Sequence, residues 1–90
     1  MASDIKMKRV TATGALNVGR ARVRQVQVTV GGTAGRFTIT DGSGGEVILD
    51  LDFAPNGTYA ADIPDIGILA ASDPFVSAAT NITAATIYYA

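Results

Sequence analysis

Apolar residues recur at every second position through most of this chain, glycine-rich runs interrupt them, and no window carries a stripe at i, i+3, i+4 and i+7. A helical domain is therefore excluded. What remains is a set of short strands, each with one buried and one wet face, joined by tight turns. The clearest strand is Glu46 to Phe53, with Val47, Leu49, Leu51 and Phe53 expected on the core face and Ile48, Asp50 and Asp52 on the other. Arg36 to Asp41 alternates in the same sense, with Phe37 and Ile39 inward. Between the two, Asp41-Gly-Ser-Gly-Gly45 supplies the positive-φ positions that a hairpin turn needs.

Arg20 to Val30 changes parity partway. Ala21 and Val23 are odd, whereas Val26, Val28 and Val30 are even, so one extra residue near Arg24-Gln25 is expected as a β-bulge. Further strands are read at Ile5 to Thr13, Ala15 to Val18, Thr58 to Ile63, Ile68 to Ala71, Phe75 to Ala79 and Ala84 to Tyr89. Turns fall at Gly31 to Gly35, Ala54 to Gly57, Pro64 to Gly67, Ser72 to Pro74 and around Asn81. The spacing predicts one all-β domain over residues 1–90, a small antiparallel sandwich, jelly-roll-like, or a barrel of seven to eight short strands.

A domain of 90 residues buries only about 60% of the surface its unfolded chain exposes, so its core is small. Cysteine and histidine are both absent. Disulfides and thiolate or imidazole metal sites are thereby excluded, and so is a triad with an imidazole base. Homo-oligomerisation or docking is the expected supplement to stability. Met1 to Lys8 holds no apolar run of the length a secretory signal needs, and no stretch is long and apolar enough for a membrane helix. The chain is read as soluble, not secreted and without a membrane partner.

Charge is unevenly spread. Residues 1–40 hold all seven bases against Asp4 alone, a net +6, and residues 41–90 carry −7. The halves can pair within one sandwich, or the basic side of one copy can meet the acidic side of the next. Lys6, Lys8, Arg9, Arg20, Arg22 and Arg24 form the candidate basic contact group, and Asp50 and Asp52 the acidic one.

Each group has a second reading. Arg20, Arg22 and Arg24 alternate with Ala21 and Val23, as a row tracking phosphates would, but residues 1–36 lack the aromatic platforms of single-strand binding. Nucleic acid is therefore not the expected partner. Asp50 and Asp52 leave one strand face about 6.5–7 Å apart, a spacing open to acid–base work or a hard cation. The solvated face of an amphipathic strand, opposite an arginine on its neighbour, is the reading preferred. Asp41 to Asp52 also has the length of a calcium loop, but Glu46 stands where that loop needs glycine. Asn81-Ile-Thr83 matches a glycosylation acceptor and is read as accidental. No catalytic residue, metal or cofactor is assigned. Tyr59, Tyr88 and Tyr89 are the candidate flat platforms for a sugar.

The succession Arg20-Ala-Arg-Val-Arg24, Gly31-Gly-Thr-Ala-Gly35, Phe37-Thr-Ile-Thr-Asp-Gly42, Val47-Ile-Leu-Asp-Leu51, Asp62-Ile-Pro-Asp-Ile-Gly-Ile-Leu69 and Thr83-Ala-Ala-Thr-Ile-Tyr-Tyr89 resembles small all-β virion proteins of tailed bacteriophages. The likeness spans nearly the whole chain. It implies a non-enzymatic structural protein of the particle, assembled in the host cytoplasm and partnered by the major capsid protein or other virion proteins. A head decoration protein is the first form expected, and a tail or neck appendage subunit or a carbohydrate- or receptor-binding module is the alternative.

Overall fold

A computed structural model describes residues 5–63 and 67–90. Among them are nine strands and no helix: β1 (Lys6–Val10), β2 (Gly14–Ala15), β3 (Ala21–Val30), β4 (Gly35–Asp41), β5 (Val47–Phe53), β6 (Gly57–Asp62), β7 (Ile68–Ala70), β8 (Pro74–Thr80) and β9 (Ile82–Tyr89). All pairings are antiparallel. One sheet runs β1-β9-β3-β6, with β7 also paired to β3, and the other runs β2-β8-β4-β5. With the short β7 set aside, this is the strand order of a jelly roll, two sheets closing over one core.

The core explains why the chain divides this way. Val23, Val26, Val28 and Ile87 from the five-stranded sheet meet Phe37, Ile39 and Val76 from the four-stranded one, with Leu16 between them, all at most 1% exposed. The expected bulge is present. Val23 stands opposite Tyr89 and Gln25 opposite Tyr88, so Arg24 is the extra residue that switches β3 from odd to even inward positions.

The nine strands exceed the seven to eight expected as a total because every segment read forms a strand of its own, two of them shorter than read. Ile5 to Thr13 contracts to β1, since the chain leaves the first sheet after Val10, opposite Ala85, and crosses to the second at Gly14. Ala15 to Val18 contracts to β2, because Leu16 turns into the core and Asn17 takes a positive φ of 62°. The bend expected at Pro64 to Gly67 lies, except for Gly67, outside the described residues.

One face assignment is corrected. Val47 is 57% exposed, whereas Ile48 packs against the core. The cause is a bulge in β5: Leu49 pairs with Ile39 and Val47 with Thr40, which leaves Ile48 as an extra residue and reverses parity before it. Beyond the bulge, Leu49, Leu51 and Phe53 keep the core side and Asp50 and Asp52 the outer side, as expected.

Candidate functional site

Two outer faces, one on each sheet, carry the candidate residues. On the five-stranded sheet the register aligns Met7, Tyr88, Gln25 and Asp62 in one outward row. Arg9, Thr86, Gln27 and Ala60 form the next, and Ala84, Thr29 and Thr58 a third. Neighbours in these rows hold one another. Gln25 donates from its amide to Asp62, the Tyr88 hydroxyl donates to Gln27 Oε1 at 3.3 Å, and the Thr29 and Thr58 hydroxyls lie 3.4 Å apart. Arg22, whose backbone exchanges two hydrogen bonds with Ala90, extends the same face. Arg9 and Arg22 give it positive charge.

The expected basic group does not form one surface. Lys6 and Lys8 leave β1 on the side opposite Arg9, and the Lys8 ammonium donates to the Leu16 carbonyl at 2.8 Å. Arg24 is the bulge residue, its side-chain stem beside Gly67, and Arg20 precedes β3 in a bend. A straight row of three guanidinium groups is therefore absent, because the bulge and the strand end each displace one.

On the four-stranded sheet Asp50 and Asp52 do share the outer face, with Arg36 beside them. Arg36 donates from Nε to Asp50 Oδ1 at 2.9 Å and from Nη2 to Oδ2 at 2.7 Å, and the Thr38 hydroxyl donates to Asp50 Oδ1 at 2.9 Å. The hydrogen bond from Arg36 first, and that from Thr38 second, hold the Asp50 carboxyl down to about 2. The same contact raises the Arg36 guanidinium above its ordinary value. Such a carboxylate is a poor proton donor near neutral pH. The arrangement matches the solvated-face reading, with an arginine on the neighbouring strand.

The tyrosines do not assemble into a platform. Tyr59 is half-buried on the core side, its ring stacked on Phe53 with centroids 5.5 Å apart. Tyr88 and Tyr89, being consecutive on β9, leave opposite faces, so Tyr88 alone joins the outer rows. Among the described residues no group of three or more acidic side chains is placed to hold a metal ion, and Asp41 instead accepts a hydrogen bond from the Ser72 amide. Asn81 sits in the turn between β8 and β9 at φ 56°, and its side-chain amide donates to the Ala34 carbonyl.

Sequence reasoning passed over two features. The outward polar rows were visible as the even spacing of Thr86 and Tyr88 and the odd spacing of Gln25, Gln27 and Thr29. Asp73 gave no signal, yet its carboxylate accepts from the backbone amides of Asn17, Val18 and Gly19 at 2.8–3.0 Å and clasps the β2–β3 connection. No family model, no curated protein and no solved structure matches the chain.

Proposed function

We propose that this chain is a non-enzymatic structural protein of a tailed-bacteriophage particle, docking in many copies on the head lattice as a decoration protein. The observation that carries the reading is the balance of charge on the two outer faces: Arg9 and Arg22 outnumber Asp62 on one sheet, and Asp50 and Asp52 outnumber Arg36 on the other. A flat subunit with faces of opposite sign has an orientation built into it, because the wrong face meets like charge. Many weak contacts to a repeating shell then sum to firm attachment. The sequence resemblance supports the same reading. So, by analogy of fold alone, does the jelly-roll order, which occurs in viral capsid domains.

A carbohydrate-binding module has less support, since Tyr59, Tyr88 and Tyr89 do not share a face. The test is to add purified chain to heads that lack it. Saturable binding in many copies, weakened by raised salt and by Arg9→Glu with Arg22→Glu, supports decoration. Binding confined to the neck or tail moves the assignment to an appendage, and no binding removes it.

A further inference from the structure

Among the described residues β1, β2, β5 and β6 stand at sheet edges, and β1 and β5 complement each other. β1 closes one side of the five-stranded sheet and β5 the opposite side of the four-stranded sheet. They are on opposite sides because β1 lies beyond β9, with Lys8 reaching Leu16 just after β2, while β5 packs beside β7, across β3 from β9. On β1 and the residue before it, Ile5 and Met7 leave one face, and Lys6 and Lys8 leave the other. Ile5 and Met7 are 55% and 60% exposed, a large apolar surface for an edge strand. β5 alternates in kind, with Leu51 and Phe53 half-buried on its core side and Asp50 and Asp52 on its outer side.

Edge strands that must stay single are guarded by charge. Lys6 and Lys8 guard β1 against another β1, and Asp50 and Asp52 guard β5 against another β5. Neither pair guards β1 against β5. We propose that β1 of one copy pairs antiparallel with β5 of a second copy, with Ile5 opposite Phe53, Lys6 opposite Asp52, Met7 opposite Leu51 and Lys8 opposite Asp50. In this register apolar meets apolar on one face and cation meets anion on the other. Lys8 and Asp50 already have partners within the fold, so the exposed pair Lys6 and Asp52 sets the orientation.

The contact is heterologous, since each copy offers one edge of each kind, and it propagates into a ring or a filament. Because it joins the five-stranded sheet of one copy to the four-stranded sheet of the next, successive copies step by one sheet spacing, about 10 Å. This goes beyond docking on a shell. It needs no shell, and either can fail without the other.

The chain contains no cysteine, which makes cross-linking clean. Facing positions on paired strands have Cβ atoms about 4.5–5.5 Å apart, near the reach of a disulfide. The full chain carrying Met7→Cys and Leu51→Cys, mildly oxidised, is expected to give a ladder of linked dimers, trimers and higher species that collapses on reduction. Met7→Cys with Leu49→Cys, two residues out of register, is expected to stay unlinked. By sedimentation of the cysteine-free chain, Lys6→Asp weakens self-association about tenfold, and adding Asp52→Lys to the same chain restores it. A strictly monomeric oxidised sample, equal linking by both cysteine pairs, or no restoration by the second charge reversal overturns the proposal.

Discussion

Arg36 stands opposite Asp52 in the ladder between β4 and β5, yet its guanidinium grips Asp50, two residues along, through both Nε and Nη2. The diagonal reach is favoured because Thr38, directly opposite Asp50, donates to the same carboxylate. Three donors thus converge on one residue, which separates the roles of two aspartates that look equivalent in sequence. Both lie on the exposed outer face, but Asp50 is held by Arg36 and Thr38 of the neighbouring strand.

The pH dependence of this cluster follows from its sign. Asp50 has a folded pKa of about 2, below the 3.8 ordinary for an aspartate, so the stability it contributes is fully present above about 4 and is lost as pH falls toward 2. The ion pair is well exposed, its side chains at 55% and 39%, so the loss is a minor part of acid unfolding. Carboxyl NMR titration should place the Asp50 midpoint near 2, and Arg36→Ala or Thr38→Val should raise it. A midpoint in the ordinary aspartate range in the unmodified chain would refute the contact.

Asp73 holds the connection that carries Leu16 into the core. Asp73→Ala strands the amides of Asn17, Val18 and Gly19 and is expected to cost about 2 kcal/mol in urea unfolding. Hydrogen exchange at those three amides should speed up ahead of the core strands. Unchanged exchange there would show that water replaces the clasp without loss.

Phe37 is fully buried in β4, at the centre of the core. Phe37→Ala is expected to remove about 3–5 kcal/mol, comparable with the whole stability of a core this small. Circular dichroism of the variant should show a largely unfolded chain at room temperature. A cooperative transition close to that of the unmodified protein would contradict the packing described.

Gly45 ends the turn between β4 and β5 where a Cβ would lie 1.8 Å from the Asp41 carbonyl oxygen. Gly45→Ala is therefore expected to destabilise by more than about 1 kcal/mol, whereas Ala at the open Gly32 should be nearly neutral apart from backbone entropy. Paired thermal melts of the two variants check the contrast. Equal melting temperatures would mean that the turn rearranges freely.

The fold was legible in the sequence wherever alternation ran unbroken or broke visibly. The valines of β3 show the Arg24 bulge because buried residues flank it on both sides and declare the change of parity. In β5 the run Val47-Ile48-Leu49 is apolar throughout, so no polar residue marks the bulge at Ile48, and simple alternation places Val47 on the wrong face. The candidate surfaces were legible only in part. Parity alone separates Lys6 and Lys8 from Arg9, but grouping by charge concealed it. The Asp73 clasp joins residues more than 50 apart in sequence, a contact that local pattern does not encode.

The docking role itself is tested most directly by quantitative mass spectrometry of purified particles from the host that carries this coding sequence, measured against the major capsid protein. Copies in a fixed, high ratio to the capsid subunit, falling when the particles are washed at high salt, are the expected result. Intact, infectious particles that contain none of the chain would contradict it.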